Sequence, residues 1–527
     1  MISRRTLFAS SLAVGAISLA GCSSNTPPGG DTGRVLASTG PLPAPFTIEL
    51  PIIPTLRPDP RGRIDLIQQQ AAVEILPGRR TDIWGYNGQF PGPTLEGRSG
   101  AALVVGMRNN LPTPTSTHLH GGVNPSTEDG LPYDLVIPEG FDPANLDLAM
   151  RNAHGPAGQP SSHGGGHDNQ PMAPWTLHQR QRDYRYPLNQ PAALLWYHDH
   201  RMDFSAPQVW RGLAGMAVVR DNHEERLGLP SGDRELRLIL TDRSFGPDGE
   251  LLYPTADPSL MTQPGVASDY MNGVLGDVML VNGAPFPRGR LRATSYRLRL
   301  VNACNARPLQ LSLQTAGQPS PFTLIGTDVG LLSTPQQLTS FELHPGERAD
   351  LIVDLSQLPN GTQVSLSNAA APAMPELVRF VVDGRGAKPD PIPSRLTEPD
   401  LLDPSGAVHA RTFDFRLRAQ RDWGINGNRY DPFGSLADPV GGTVERWTFT
   451  SDFSHPVHVH LGHFQVLSVN GRQVPAALRG WKDTVNVNAY GVVEVLVRFP
   501  TLPGPSMIHC HNLEHEDMGM MANLTVR

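Results

Sequence analysis

The chain has 527 residues, a formal net charge of -7, 39% hydrophobic and 18% charged residues. This length exceeds what one hydrophobic core can hold, so we expect roughly two to four domains, and the composition is that of a folded protein and not a disordered one. The mild acidity argues against nucleic acid as a partner, while 53 glycines and 52 prolines favour many turns and short strands, and therefore an all-β fold.

The N-terminus has the features of an export signal. Arg4 and Arg5 precede an apolar run too short for a membrane span, and the segment SRRTLF resembles a twin-arginine signal. The LAGC end of residues 1–22 resembles a lipoprotein cleavage box, with Cys22 as the lipidated residue; the alternative is an ordinary signal peptide that contains a cysteine. Residues 23–45 predict a flexible tether. We therefore expect an extracytoplasmic protein, in the periplasm or at the cell surface, held to the membrane only by a lipid at Cys22.

One pattern recurs three times: an Asn-Gly turn, a strand, and a further strand. It occurs at YNGQFPGPTL (86–95), VNGAPFP (281–287) and INGNRYDP (425–432). Apolar residues at every second position, as in RLRLVNA (297–303), predict half-buried strands. We therefore expect three β-sandwich domains, at 46–222, 230–385 and 405–527.

The middle unit carries NACNAR where the outer two carry histidines, so we predict that it is structural and that the outer units carry the chemistry. Three cysteines, Cys22, Cys304 and Cys510, cannot form a disulfide framework. Cys304 lies in the middle unit, where we expect it to be a small buried apolar residue.

Four His-x-His pairs stand out among the 18 histidines, where random placement would give about 0.6. The pairs are His118/His120, His198/His200, His458/His460 and His509/His511. On a strand, positions i and i+2 face the same side, so each pair presents two imidazoles, the preferred ligands of copper, zinc, nickel and iron. A single pair could be scattered surface or core histidines. Zinc is the first competitor for all four, but eight paired histidines overfill a structural zinc site.

The segment MIHCHNLEHEDMGM (507–520) favours copper. Cys510 lies between His509 and His511, so on an extended strand it faces the opposite side, where His515 and Met520 can join it. His455 is available as a second histidine. One cysteine, two histidines and a weak axial methionine form the ligand set of a blue-copper electron-transfer site.

At these residues the chain resembles a multicopper oxidase of the three-domain bacterial laccase and bilirubin-oxidase type, which includes spore-coat laccases. Four motifs carry the resemblance, in the order of the family: HLHG (118–121), WYHDH (196–200), HPVHVH (455–460) and HCHNLEHEDMGM (509–520). The resemblance implies three cupredoxin-like Greek-key β-sandwich domains. It also implies four copper ions, and one chain suffices to hold them, so we expect a monomer.

The resemblance further implies a role for each motif residue. A type 1 copper near the surface would be held by His455, Cys510 and His515, with Met520 axial. A type 2 copper would be held by His118 and His458. A type 3 pair would be held by His120, His198, His200, His460, His509 and His511. Two acids match as well: Asp129 near the three-copper cluster and Glu516 as a proton relay. Their alternative is an ordinary surface or turn carboxylate.

The implied reaction is one-electron oxidation of phenolic or similar aromatic reductants at the type 1 copper, coupled to four-electron reduction of O2 to water. One alternative is a metallo-oxidase of Cu(I), Mn(II) or Fe(II). A second is a copper-free cell-division scaffold, whose members lack the ligands that this chain keeps. A copper nitrite reductase would have two domains and another ligand order, and a simple electron-transfer cupredoxin would leave eight histidines unexplained.

The stretch from Pro132 to Trp175 departs from the family pattern. It is long and polar and contains His154, His163 and His167, so we predict a surface loop; the alternative is an auxiliary metal site or a lid. The 14 methionines are dispersed, which argues against a dedicated cuprous oxidase. His178 and His463 match no family role and are expected to be structural.

Overall fold

The computed structural model describes residues 32–154, 173–371, 373–389, 391–418 and 422–527. Within these ranges three pairs of β-sheets follow one another along the chain, which confirms the predicted all-β fold. The export signal with Cys22, and also His163 and His167, lie outside the described residues. Among the helices that are described, none has the length and apolar character needed to cross a membrane.

The first domain pairs a four-stranded sheet, in the order β10-β6-β3-β4, with a five-stranded sheet, in the order β2-β5-β12-β11-β7. Its elements, with the N-terminal strand, are β1 (Arg34–Leu36), β2 (Thr55–Leu56), β3 (Arg63–Val73), β4 (Thr81–Tyr86), β5 (Thr94–Arg98), β6 (Leu103–Asn109), β7 (Thr117–His120), β8 (Asp134–Ile137), α1 (Ala144–His154), β9 (Thr176–Gln179), β10 (Gln181–Tyr186), β11 (Ala193–Asp199), α2 (Ser205–Arg211), β12 (Ala214–Arg220) and α3 (Asn222–Arg226). Strand β10 alternates exposed and buried residues, as expected for a strand with one face on the core.

The second domain pairs a seven-stranded sheet, in the order β16-β15-β13-β18-β24-β21-β22, with a six-stranded sheet built from β17, β26, β25, β19, β20 and β23. Its strands are β13 (Glu235–Arg243), β14 (Val274–Gly276), β15 (Val278–Val281), β16 (Ala284–Pro285), β17 (Arg288–Ala293), β18 (Ser295–Asn302), β19 (Leu309–Thr315), β20 (Gln318–Ser320), β21 (Phe322–Thr327), β22 (Gly330–Leu338), β23 (Ser340–Leu343), β24 (Arg348–Asp354), β25 (Gln363–Asn368) and β26 (Glu376–Arg385). Cys304 is buried in the core of this domain, as expected.

The third domain pairs a five-stranded sheet, in the order β28-β27-β29-β33-β31, with a four-stranded sheet, in the order β32-β30-β34-β35. Its elements are β27 (Ala407–Leu417), β28 (Trp423–Ile425), β29 (Val444–Ser451), β30 (His455–Val459), β31 (His463–Val469), β32 (Thr484–Val487), β33 (Val492–Arg498), β34 (Gly504–Cys510), α4 (Leu513–Asp517) and β35 (Met521–Val526). Short 3-10 turns occur at Ser126–Glu128, Gly232–Arg234, Ser268–Tyr270, Pro404–Gly406 and Ala476–Leu478.

Strand β18 is more deeply buried than its alternating sequence predicts. All eight of its residues are buried, including Arg297 and Arg299, because β18 lies in the middle of the seven-stranded sheet and its second face meets the first domain. Each guanidinium is neutralised there: Arg297 Nη1 lies 2.5 Å from Glu224 Oε1 of the first domain, and its Nη2 lies 2.5 Å from Asp350 Oδ2. A buried charge is tolerated when it is paired in this way.

Two segments predicted to be irregular contain ordered structure. The predicted tether is ordered from Arg34 onward, because β1 pairs in parallel with β14 and satisfies its backbone hydrogen bonds there. The predicted loop between Pro132 and Trp175 contains β8 and α1, whose Leu135, Ile137 and Leu146 pack into a small core of their own.

Candidate metal centre

The predicted type 1 residues come together at the end of β34. Cys510 Sγ lies 3.5 Å from His455 Nδ1 and 3.6 Å from His515 Nδ1, and the two nitrogens are 3.1 Å apart. Asn512 turns the chain from β34 into α4, because its side chain accepts a hydrogen bond from the His515 amide. Met520 is fully buried beside them, with its amide donating to the His515 carbonyl at 3.0 Å.

The chemistry of this group fits a metal cation. Burial raises the pKa of the Cys510 thiol and lowers that of His515, so the thiolate needs a bound cation to form at neutral pH, whereas the imidazole is already neutral. A coordinating metal deprotonates a thiol outright, and a neutral imidazole is the form that binds a metal.

The side chains of the type 1 group are enclosed. The four predicted ligands are each 0% exposed. Trp423 of the third domain covers His515, with ring centroids 3.8 Å apart, and its indole N–H donates to the carbonyl of Met271 in the second domain at 3.1 Å. The cover over His515 is therefore tied to a neighbouring domain, and Trp423 carried no signal in the sequence.

The eight paired histidines converge from the first and third domains. Antiparallel pairing places His118 opposite His198 on β7 and β11, and His458 opposite His509 on β30 and β34. The metal-capable groups of this cluster are His118 with His458 and His460, His120 with His198 and His511, His200 with His460 and His509, and His120 with His458 and Asp483. In the described ranges, every such group includes residues of this cluster or of the type 1 group.

Backbone carbonyls decide which ring nitrogen points into the cluster. The Nδ1 atoms of four histidines donate to carbonyls: His118 to Asp129 at 2.7 Å, His198 to Asp199 at 2.9 Å, His458 to Asp483 at 2.9 Å and His509 to Cys510 at 3.0 Å. Each Nε2 is thereby left as a free lone pair. The Nε2 atoms of His118 and His458 lie 3.5 Å apart, and those of His460 and His509 lie 3.0 Å apart.

The electrostatics of the cluster fit copper as well. Burial and the neighbouring imidazoles lower the pKa of His511 to about 3 and that of His460 to about 4. The pKa values of His120, His198 and His200 are also lowered well below the ordinary range, by burial first. Nitrogens such as His198 Nε2 and His120 Nδ1 are buried without a protein partner. Neutral imidazoles with unused lone pairs are what a transition metal binds.

Asp129 supports two of the histidines. Its Oδ2 accepts a hydrogen bond from His460 Nδ1 at 2.7 Å, and its Oδ1 lies 3.4 Å from His118 Nδ1. Burial acts to raise the pKa of Asp129, but His118 and His460 together hold it below the ordinary value. An ionised Asp129 therefore orients both rings.

Glu516, unlike the ionised Asp129, is expected to be protonated. Its Oε2 lies 3.3 Å from His509 Nδ1, its Oε1 lies 3.6 Å from His200 Nδ1, and Ser205 Oγ donates to Oε1 at 2.5 Å. Burial raises the pKa of Glu516 to about 8, so at neutral pH this carboxyl holds a proton beside the cluster.

The structure adds residues that the sequence did not single out. Asp483 Oδ1 and Thr484 Oγ1 each lie 3.1 Å from His120 Nε2. The pairing of β30 with β32 places Thr484 opposite His458, and the contact with His120 forms across the interface of the first and third domains. His178 bonds to Asp134 at 2.9 Å and belongs to none of the metal-capable groups, in line with a structural role.

Comparison with known proteins agrees with this geometry. Family models described as multicopper oxidase match residues 395–527, and residues 68–141 and 152–224. A laccase from Bacillus subtilis (strain 168) is 31% identical, over 91% of this chain and 98% of the relative. The cell division protein FtsP of Dickeya dadantii (strain 3937) is 30% identical, over 94% of each chain.

Solved structures share the fold. The crystal structure of a multi-copper oxidase from Pediococcus acidilactici superposes with a TM-score of 0.76 at 29% identity, covering 94% of this chain and 93% of that one. The three sandwich domains are therefore cupredoxin-like. With the matched models, a full-length laccase relative and the histidine cluster together, the chain belongs to the multicopper oxidase family, as a laccase-like member.

Proposed function

We propose that this protein oxidises phenolic or similar aromatic reductants one electron at a time and couples this to the four-electron reduction of O2 to water. The observation that carries the proposal is the position of Cys510. Its thiol lies with His455 and His515, while its chain neighbours His509 and His511 belong to the histidine cluster. A copper ion held by Cys510 would thus be linked to the histidine cluster by the few covalent bonds between neighbouring residues.

The proposed ligand sets follow the groups described above. A type 1 copper would be held by His455, Cys510, His515 and Met520; a type 2 copper by His118 and His458; and a type 3 pair by His120, His198, His200, His460, His509 and His511. Bound there, four copper ions supply the one-electron redox chemistry and the site of O2 reduction.

The chain's own residues supply orientation and protons. Asp129 fixes His118 and His460 through their Nδ1 atoms. Glu516 holds a proton at its carboxyl, 3.3 Å from His509, and releases it towards the cluster. Reduction of O2 to water consumes protons, and a buried site needs a positioned donor for them.

Two alternatives remain to be tested against this proposal. A metallo-oxidase would take Cu(I), Mn(II) or Fe(II) in place of a phenol, with the same copper ligands. A copper-free scaffold would need none of the twelve proposed ligands. The chain retains all twelve residues, and nitrogens such as His120 Nδ1 and His198 Nε2 have no protein partner, which supports the oxidase.

We also propose an extracytoplasmic location. The basis is the sequence of residues 1–22: the Arg4-Arg5 pair favours twin-arginine export, and LAGC favours a lipid on Cys22. Labelling of the full-length protein with a radioactive fatty acid, compared with Cys22→Ser, tests the anchor: label in the variant equal to that in the wild type would contradict it. Because one chain contains all proposed ligands, we expect a monomer.

The test is an absorption spectrum and a copper count of the copper-loaded protein, with Cys510→Ser and the matched control Cys304→Ser. For the wild type we expect about four copper ions and an intense absorption band at about 600 nm. This band should be lost in Cys510→Ser and retained in Cys304→Ser. Phenols and the three metal ions are then compared as donors by O2 uptake. A colourless wild-type protein that takes up no copper would overturn the proposal and favour the scaffold.

A further inference from the structure

Arg348 lies where all three domains meet. It is the first residue of β24 in the second domain, and its side chain is fully buried. A guanidinium has five N–H donors, and here every one has a partner. Nε donates to the carbonyl of Leu194 in the first domain at 3.1 Å. Nη1 donates to the Gly346 carbonyl at 2.8 Å and to Asp483 Oδ1 at 2.7 Å. Nη2 donates to the Asp328 carbonyl at 2.9 Å and to Asp483 Oδ2.

Asp483, whose carboxylate this fork holds, selects the ring nitrogens of two proposed copper ligands, one through its side chain and one through its main chain. Asp483 Oδ1 and Thr484 Oγ1 engage Nε2 of His120, so only Nδ1 of that ring can face the cluster. That Nδ1 is buried and has no protein partner. The main-chain carbonyl of Asp483 accepts from Nδ1 of His458, so this second ring presents Nε2 instead.

The loop between β23 and β24, which leads directly into Arg348, also forms part of the wall of the cluster. Gly346 has φ +86, and a Cβ built there would lie 2.9 Å from ring atoms of His511 and 3.2 Å from His120 Cε1. Only glycine fits both the backbone conformation and the space. The loop between β23 and β24 therefore packs directly on two rings that the other domains contribute.

A second cation braces the same region. Lys482 Nζ lies 2.9 Å from Asp328 Oδ2 and 3.1 Å from Glu347 Oε1. Residues 482 and 483 of the third domain are thus each tied to charged groups of the second domain, in a buried region where broken ion pairs are costly.

We propose that Arg348, in the domain that supplies no copper ligand, is a positioning residue for the three-copper cluster. It holds Asp483, and through Asp483 the rings of His120 and His458, in the orientation that binds copper. The inference rests on the proposed function, since it assumes that these histidines bind copper. Its consequence is that the second domain controls loading of the cluster while leaving the type 1 site intact.

The experiment compares Arg348→Met with Arg348→Lys and with a matched control, Arg297→Met. Arg297 is equally buried and equally ion-paired between the first and second domains, but its contacts are Glu224 and Asp350 and not the cluster. Each purified protein is assayed for copper content, the type 1 absorption band, the type 2 electron paramagnetic resonance signal and the type 1 reduction potential.

In Arg348→Met we expect copper content to fall from about four ions to about one, with the type 2 signal lost while the type 1 band and potential are unchanged. Arg348→Lys, which keeps the charge, should recover part of the copper. Arg297→Met should keep the wild-type ratio of type 2 to type 1 copper in whatever fraction folds. Full cluster occupancy in Arg348→Met, or the same selective loss in Arg297→Met, would overturn the inference.

If Arg348→Met does not fold, as shown by loss of the type 1 band, Asp483→Asn replaces it. That variant keeps the main-chain carbonyl that bonds to His458 and removes the charged oxygen that links Arg348 to His120. Selective loss of cluster copper supports the inference, and unchanged cluster copper contradicts it. A wild-type protein without copper would instead defeat the proposed function, so the two failures are distinguishable.

Discussion

Replacing Glu516 with glutamine tests the proton supply. The substitution keeps the size of the side chain and its contact with Ser205, and removes the carboxyl proton. With a pKa of about 8, about nine-tenths of this carboxyl is protonated at pH 7 in the copper-free protein. Positioned acids of this kind contribute about 10²- to 10⁴-fold to a rate, so we expect kcat for O2 reduction to fall by at least about 10²-fold.

Two measurements separate proton delivery from electron entry. O2 uptake at saturating donor gives kcat, and anaerobic bleaching of the type 1 band by the same donor gives the rate of electron entry. In Glu516→Gln we expect kcat to fall by at least about 10²-fold. We expect the rate of bleaching to stay within about twofold of the wild type, because the substitution acts on the proton step alone. A kcat within about threefold of the wild type, or bleaching that slows in parallel, would refute the reasoning.

The same variant has a stability signature in the copper-free protein. Because the folded pKa of Glu516 lies above its usual 4.5, the folded state keeps a proton that the unfolded state loses, and stability falls as pH rises from about 4.5 to 8. The full effect of one such group is about 5 kcal/mol. In denaturant unfolding, the free energy of unfolding of Glu516→Gln should therefore rise relative to that of the wild type as pH increases. The control Glu398→Gln, at an exposed position, should show no such rise. A pH-independent difference would contradict the buried, protonated state.

Three further outcomes are expected. Trp423→Leu should cost roughly 2–4 kcal/mol of unfolding free energy because the indole is fully buried. It should also raise kcat/KM for bulky phenols by uncovering His515. An unchanged ratio of kcat/KM for bulky phenols to kcat/KM for small phenols would contradict this covering role. Asp129→Asn should lower O2 uptake about 10²-fold with normal type 1 bleaching, since it loses the ionised partner of His460; slowed bleaching would contradict it. Removing copper with a chelator should lower the thermal midpoint by several degrees through loss of binding energy, which calorimetry checks, and an unchanged midpoint would count against copper bound to the folded state.

The convergence of these histidines with the cysteine was predictable because their signal is local. Residues i and i+2 share a face of a strand, so each His-x-His pair could be read as two ligands, and the intervening Cys510 as a ligand on the other face. The resemblance to the family then assigned each motif residue a role. In the structure His455, Cys510 and His515 form one metal-capable group. The eight histidines form three others, and a further group joins His120 and His458 to Asp483.

The supporting residues were not predictable because they depend on contacts distant in sequence. Arg348 and Asp483 are 135 positions apart, and Trp423 reaches His515 only once β28 is in its sheet. The cover over the type 1 ligands was unpredictable for the same reason, since Trp423 and the Met271 carbonyl to which it donates lie far apart in the sequence. Likewise, the alternation in β18 could not show that its arginines would find Glu224 of another domain.

The division of the histidine cluster between the first and third domains has a consequence for biogenesis. His118 and His458 are 340 positions apart, so the cluster cannot exist until nearly the whole chain has been synthesised and the two domains have docked. A link that closes so long a loop lowers the entropy of the unfolded chain, and this favours the folded state. We therefore expect copper to bind the cluster last, after the two domains have docked, and to stabilise the docked state. A domain expressed alone should fold without binding copper at the cluster.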